Sequence, residues 1–409
     1  MIYSSHYVLL VFSVLIFDIP RYIISILAMA VVPLREGGHS TGRQPSVSVV
    51  LSVFNGADHM IACLRSVQRQ TLRPLEVILV NDGSLDGTRA LAEAARRNGL
   101  IDCFIHHGTR CGKSASVNQA VRFAKGELVL CIDHDTVLEA DAIARFAAAF
   151  ADDRVALAGG NLSIRNNRES IWTSLQAVEY LISISIGRTF LNAFGAVSCC
   201  SGAFSMFRRS VYMAVGGNNT GPGEDFELTL RMRKLGYKVK FVRGARASVE
   251  APPSLEGLVR QRLRWDRDAL NIRINQYRNL DLFRPRENLS DTLQILDFII
   301  FELVPTAVFP FYILYMFIVL GPLAPAYLAT IYVLILGVYA AGIAIAAVIS
   351  RHELSLFDVA IVPVFPLYQG VIMKLVRFFA FSREVLFSDS RRDDYVPPRV
   401  RRALYGRDS

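Results

Sequence analysis

At 409 residues, with 52% hydrophobic residues and a mean hydropathy of +0.33, the chain exceeds one ordinary domain and is too apolar to be wholly soluble. Its formal charge of +9 comes with no nucleic-acid motif, and most of the basic surplus flanks apolar segments, so a membrane surface replaces nucleic acid as the partner. Cys63, Cys103, Cys111, Cys131, Cys199 and Cys200 form no CxxC pair and no metal-ligand spacing, which argues against a disulfide framework and a thiolate metal centre.

Residues Tyr7 to Leu34 are almost continuously apolar, enough for one tilted span, since a bilayer core needs roughly 20 residues. Asp18, Pro20 and Arg21 interrupt the run, so it reads as a span beginning near Arg21 or as one kinked helix. A signal peptide is the rival reading, but the basic n-region is missing. Strand and helix signals alternate next. Val47–Val53 is a β-branched strand, Asp58–Gln70 a helix, and Leu75–Val80 a second strand, with Asp86 placed to cap the helix after it. Lys113–Lys125 reads as a helix, Glu127–Ile132 as a strand and Leu138–Phe150 as a helix. The pattern predicts a mostly parallel sheet covered on both faces, with ligands at the carboxyl ends of its strands.

After Pro253 a basic amphipathic stretch runs to about Arg286. Leu293–Leu320 and Tyr327–Ile349 are each long enough to span. Phe357–Phe381 contains Pro363, Pro366, Lys374 and Arg377 and reads as interfacial or re-entrant. The division expected is a membrane segment over 1–38, a catalytic domain over 39–252, and interface helices over 253–290. Membrane helices over 291–381 and a basic cytoplasmic tail over 382–409 complete it.

Four groups of residues carry chemistry. Ser52-Val53-Phe54-Asn55 closes one strand and Asn81-Asp82-Gly83-Ser84 the next. An aromatic and a carboxylate there can hold a uracil-like base, although Asp-Gly is equally a turn dipeptide. Gly112-Lys113-Ser114 opens a helix whose N-terminus and lysine suit a phosphate. It is no P-loop, because Gly108 leaves the spacing one residue short. Asp133-His134-Asp135 ends a buried strand, and two converging carboxylates there call for Mg²⁺ or Mn²⁺. The last group is Glu224-Asp225, at a helix start, with Gln261-Arg262-Leu263-Arg264-Trp265. Helix capping and arginine snorkelling are the plain roles for these residues. The sharper reading makes Asp225 a general base, sets Gln261 and Arg264 on a diphosphate, and lays Trp265 under a sugar ring.

The set SVFN, NDGS, GKSASVNQA, DHD, GED and QRLRW, from about Val47 to Trp265, resembles the processive family 2 glycosyltransferases: cellulose, chitin and hyaluronan synthases and the nodulation chitin-oligosaccharide synthases. Cys199-Cys200-Ser201-Gly202, with Met206 and Arg208-Arg209, is similar to the nodulation and hyaluronan enzymes near their acceptor site. The resemblance implies an α/β GT-A (Rossmann-like) catalytic domain, α-helical transmembrane segments at both ends, a UDP-sugar donor, a divalent metal and inversion. It also implies that Ser52, Phe54 and Asp82 bind uridine and that Lys113 approaches the UDP. Asp133 and Asp135 hold donor and metal, Asp225 with Glu224 serves catalysis, and Cys200, Ser201, Gly202 and Trp265 meet the acceptor. His134 and Asn81 depart from the usual residues without touching an essential carboxylate. The expected activity is synthesis of a β-linked poly- or oligosaccharide on the cytoplasmic face of a multi-pass inner-membrane protein. The partners are a growing glycan, the bilayer and accessory export subunits. Two alternatives stand beside it: single transfer to a lipid carrier, and a non-catalytic scaffold.

Overall fold

The structure is a computed structural model that describes residues 44–219, 221–277, 289–350, 356–393 and 395–405. The expected first span, Tyr7–Leu34, lies outside these residues.

Eight strands form one sheet in the order β3-β2-β1-β4-β7-β6-β8-β5. β1 (Val47–Val53), β2 (Glu76–Asn81) and β4 (Leu128–Asp133) are buried on both faces, so their sequences are apolar without alternation. β1 pairs in parallel with β2 and β4, and β2 pairs in parallel with β3 (Cys103–His106). Three helices connect these strands: α1 (Met60–Gln68), α2 (Thr88–Arg97) and α3 (Lys113–Phe123). Asp86 acts at the start of α2 as expected: its Oδ1 accepts from the Thr88 amide at 3.0 Å, although Gly87 holds the cap position.

Beyond β4 the sheet departs from the mostly parallel expectation. β7 (Phe204–Arg208) runs antiparallel to both β4 and β6 (Val155–Ile164), and only β6 with β8 (Lys238–Val249) restores a parallel pair. β7 follows a helical excursion over residues 171–193 and a loop, so the chain re-enters the sheet from its other end. The helix expected over Leu138–Phe150 is also shorter. Val137–Leu138 is β5, paired with Ser248 and Ala247 of β8, and the Leu138 amide donates to Ser66 Oγ at 3.0 Å. Helix α4 therefore begins at Ala142 and ends at Ala149.

The excursion comprises α5 (Ile171–Tyr180), a π-helical turn (Leu181–Arg188) and α6 (Thr189–Ala193). Ser170 caps α5 in a reciprocal box with Thr173. After β7 come α7 (Arg209–Ala214) and α8 (Glu224–Lys234); α9 (Leu255–Tyr277) follows β8 and carries the QRLRW residues.

Among the described residues, two stretches are long and apolar enough to cross a membrane, Asp291–Val348 and Asp358–Phe387. A straight helix as long as the first would run roughly 87 Å at 1.5 Å per residue, almost three times a bilayer core of about 30 Å. It is broken instead. Gly321 takes a φ of +50° and Pro322 follows it, so α10 (Leu289–Asp297) and α11 (Val304–Leu320) turn back into α12 (Ala324–Ser350). Met316 and Leu320 pack on Ala324 and Ile331 across that turn. Elsewhere apolar side chains face outward: Phe311, Ile318 and Val333 are 65%, 72% and 63% exposed. Water would not tolerate such a surface, whereas lipid does. The second stretch holds short helices α13 (Leu356–Ile361) and α14 (Phe365–Leu367) and then α15 (Met373–Phe387). α15 lies along α9: Arg377 Nε is 3.3 Å from Asp266 Oδ1, and Ala380 and Phe381 pack with Leu270.

Candidate active site

Strand register aligns the first motifs. Ser52 sits opposite Val80 on one side and Asp133 on the other, so Phe54, Asp82 and Asp133 emerge at neighbouring strand ends. Asn55 knits two of them together: its amide donates to Ser84 Oγ at 2.9 Å, and its Oδ1 accepts from the Leu85 amide at 2.9 Å. Gly83 has a φ of +71°, and a Cβ there would lie 2.7 Å from the Arg110 amide nitrogen, so only glycine fits.

Asp82 is buried, and both its oxygens serve the loop that opens α3. Cys111 and Gly112 amides donate to it at 2.7 and 2.8 Å, and His107 Nδ1 lies 3.0 Å from Oδ1. Asp82, His107 and Cys111 bring three ligand-type atoms within 4.8 Å of one another, a metal-like grouping. The carboxylate already has three hydrogen-bond partners, so the arrangement is accounted for without a metal. A carboxylate offers about four lone-pair sites, and one remains for a base N–H.

Lys113 begins α3 and points at the third motif: its Nζ is 2.5 Å from Asp133 Oδ1 and 3.9 Å from Glu224 Oε1. Burial alone would lower the Lys113 pKa, but the charges of Asp133 and Glu224 override it and hold the ammonium well above its ordinary value. Asp135 lies in the turn after β4 and is raised by burial and by the charge of Asp133. Two carboxylates that repel in this way fit a shared divalent cation, so Asp133 and Asp135 suit Mg²⁺ or Mn²⁺.

The opposite wall is α8. Gly223, at φ +69°, leads into it, and a Cβ there would run 2.5 Å from Ile272 Cδ1. Asp225 Oδ2 accepts from the Gly202 amide at 2.9 Å, and Thr229 Oγ1 accepts from the Cys200 amide at 3.0 Å. The loop 199–202 is thus tied to the helix that bears the proposed base. A Cβ on Gly202 would sit 3.3 Å from Lys113 Nζ, 3.4 Å from Asp225 Cβ and 3.5 Å from Glu224 Oε1. Four sequence-predicted residues therefore meet around one point. Burial raises Glu224, an effect that Lys113 offsets and Asp225 reinforces. Burial also pushes the Cys200 thiol up to about 12, which leaves it an unreactive packing group.

The QRLRW residues divide. Arg264 shares a cleft with Gly112, Lys113 and Glu224, whereas the Trp265 ring is covered by Arg262 at 4.7 Å. Arg262 is itself held by Glu179 at 2.9 Å, and Glu179 accepts from Tyr368 Oη at 2.7 Å. Gln261 Oε1 is buried without a partner.

The cleft's cover has no signal in the sequence. Arg110 stacks on Phe54 at 4.2 Å and donates to the Tyr395 carbonyl at 2.7 Å; the Tyr395 ring lies between Arg110 (5.6 Å) and Arg264 (4.1 Å). Arg267 anchors this tail through Asp389 at 3.1 Å and Asp393 at 2.6 Å. Asp268, beside Arg267 and lining the same cleft, is pushed up to about 7 by burial, partly offset by Arg267.

Residues 48–216 match the family model described as Glycosyl transferase family 2. The chain is 31% identical over 261 residues to an N-acetylglucosaminyltransferase of Azorhizobium caulinodans, covering 60% of this chain and 64% of that one. It is 33% identical over 240 residues to the N-acetylglucosaminyltransferase of Bradyrhizobium diazoefficiens, covering 55% and 49%. With a Poly-beta-1,6-N-acetyl-D-glucosamine synthase of Staphylococcus aureus it shares 28% over 253 residues, covering 59% and 61%. The chain thus spans less than two thirds of each of these relatives. In structure it is similar to the mannosyltransferase PcManGT from Pyrobaculum calidifontis, solved with GDP-Man and Mn2+. The TM-score is 0.57 at 17% identity, over 93% of this chain and 99% of that one. The fold is accordingly GT-A-like, with a mixed sheet.

Proposed function

We propose that this chain, whose residues 48–216 carry a family 2 glycosyltransferase domain, transfers an N-acetylhexosamine from a UDP-sugar to a glycan hydroxyl with inversion, extending a β-linked chain. The observation that carries the reading is the meeting of Lys113, Asp133, Glu224, Asp225 and Gly202 around one point at the strand ends. Asp225, oriented by the Gly202 amide, takes the proton of the acceptor hydroxyl as that oxygen attacks the anomeric carbon. Lys113 and the α3 N-terminus meet the departing diphosphate, and Arg264 lines the same cleft. A divalent cation held by Asp133 and Asp135 would neutralise charge on that diphosphate. The N-acetylated sugar is taken from the printed names of the relatives.

The topology follows from the tail. Tyr395 touches Arg110 of the catalytic domain, so the chain from α9 to the tail crosses the membrane an even number of times. The helical hairpin accounts for two crossings. The stretch 358–387 is long enough to cross, but on this reading it enters and returns on the catalytic side. The Lys and Arg near its end favour the cytoplasm for that side. A reporter fused to the tail and active only outside the cell would overturn this assignment. Coupling to export subunits extends the same reading.

The test is UDP release by purified protein in detergent from a panel of UDP-sugars. Release should be greatest with UDP-N-acetylglucosamine or a close analogue, vanish in excess EDTA, and return with Mn²⁺ or Mg²⁺. Full release in EDTA removes the metal from the reading, and no release from any donor removes the transferase activity itself. One observation favours transfer to a lipid carrier as a second reading. The groove between α11, α12 and α15, lined by Val308, Phe309, Ile331, Ile335, Val371 and Leu375, is apolar and suits an acyl or isoprenoid chain better than a sugar. Product sizing separates the two.

A further inference from the structure

The partly buried arginines of this protein mostly have carboxylate partners. Arg208 meets Glu127, Arg231 meets Glu227, Arg233 meets Asp291, Arg262 meets Glu179, and Arg377 meets Asp266. Arg188 differs. It makes no hydrogen bond or ion pair among the described residues, and its Nη1 is buried without a partner. Leaving a guanidinium nitrogen out of water and unpaired costs on the order of 1–3 kcal/mol, more when the charge is counted. An oxygen brought by a ligand would remove that cost.

The surroundings indicate which ligand. Arg188 is the last residue of the π-helical turn Leu181–Arg188, a type of distortion frequent at functional sites. The turn is fixed on both sides. Ser185 Oγ donates to Asn161 Oδ1 at 2.8 Å on β6, and Ile186 packs on Ala346 of α12. Arg188 therefore sits where the catalytic sheet meets the membrane helices. Its charge acts on the thiols of Cys199 and Cys200, and Cys199 is also within reach of Asp225. Through its next residue but one, Gly202, the same loop holds the Asp225 carboxylate. Lys113 faces the loop at Gly202 from the donor cleft, while Arg188 approaches it from the turn that packs on α12. An attacking sugar that presents a hydroxyl to Asp225 would lie against this loop.

We propose that Arg188 is an acceptor-recognition residue, whose unpartnered guanidinium nitrogen takes the acetamido carbonyl oxygen of the terminal acceptor sugar. The assignment rests on the function proposed above and names the substrate chemistry of the same site. A planar guanidinium offers five donors in fixed directions, which suits a carbonyl oxygen held beside a ring. The carbonyl is neutral, so the contact grips one sugar firmly enough to orient it and weakly enough to release it after transfer.

The test uses the full chain in detergent with UDP present, and reads binding by calorimetry as well as transfer. The probes are an N-acetylated chito-oligosaccharide and its deacetylated counterpart. For Arg188→Gln, the Kd and the acceptor KM for the acetylated probe should rise roughly tenfold, the loss expected for one hydrogen bond to a charged group, while the Kd for UDP stays put. Arg188→Lys should recover part of the loss. At a pH above that of its amines' titration, where the deacetylated probe is uncharged and Arg188 does not repel it, wild type and Arg188→Gln should bind it equally poorly, because the missing carbonyl and the missing guanidinium remove the same contact. Unchanged affinity for the acetylated probe in Arg188→Gln would overturn the assignment. So would losses from variant and deacetylation that simply multiply, or no binding of either probe by wild type. A folding defect would show as a parallel loss of UDP affinity and of melting temperature, and Arg188→Lys, which keeps the charge, then decides. Failure of wild type to release UDP from any donor would strike at the transferase reading, while calorimetry still reports on Arg188.

Discussion

The two halves of the sheet bring their loop residues together differently. In the parallel half, β3-β2-β1-β4, each strand ends beside its neighbour, and the residues after the strands reach one place by register alone. Ser52, Phe54, Asp82 and Asp133 need no distant partner to be aligned. In the other half, β7-β6-β8-β5, the antiparallel entry of β7 brings Gly202 back toward the first half, and α8 then delivers Glu224 and Asp225 to it. On the proposed function the donor side is thus preset by strand geometry, whereas the acceptor side is assembled from a loop, a helix start and a π-helical turn. A change in the assembled half should accordingly alter turnover or product and leave donor binding alone.

Asp225→Asn keeps the shape of the side chain and its bond from the Gly202 amide, but removes its basicity. Turnover should fall by roughly 10²-fold or more, with the donor Kd nearly unchanged. Steady-state UDP release together with UDP binding checks both. A variant that turns over normally takes Asp225 out of the mechanism, and one that loses donor affinity in parallel merges the two halves.

A smaller effect is expected at Trp265. An indole face covers the apolar face of a sugar ring, yet the ring here is already covered on one side by Arg262. The other face is what a glycan would use. Trp265→Ala should shorten the product at equal amounts of folded enzyme and leave the donor KM within about twofold. Unchanged product length would assign Trp265 to the Arg262–Glu179–Tyr368 network as an anchor for α9 against the membrane segment.

What could be read in advance follows the same division. β1, β2 and β4 are continuous buried apolar runs, so the pattern located them to within one residue at either end, and the motifs at their ends came with them. The direction of β7 was not legible, because a five-residue apolar strand has the same pattern whichever way it enters the sheet. The tail carried more than its charge announced. Its arginines mark a basic cytoplasmic flank, and Tyr395 also pairs with Arg110 across 285 residues of sequence. Nothing local encodes that contact. Arg188 was equally silent, since its character lies in the partner it lacks.

The smallest effect concerns Asp268, where the tail's anchor and the donor cleft meet. Its carboxyl is pushed up to about 7 by burial, with the charge of Arg267 offsetting part of the rise. An unfolded aspartate titrates near 3.9, so between about pH 4 and pH 7 the native state holds a proton that the unfolded chain has released. Stability must therefore fall as pH rises through that window, and level off above it. Asparagine cannot ionise, so Asp268→Asn should match wild type near pH 4 and exceed it at pH 8, by on the order of 1 kcal/mol or more. Arg267 keeps Asp389 and Asp393 as partners in the variant, so it is not left as an unpaired charge. Apparent melting temperatures in detergent across pH 4–8 measure the difference. A gap that widens toward acid instead would mean that Asp268 is ionised and stabilised in the fold, and that Arg267 outweighs burial there. A constant gap would leave no linkage at Asp268, and the cleft beside Arg264 would then be open enough for water to solvate the carboxylate before any donor arrives.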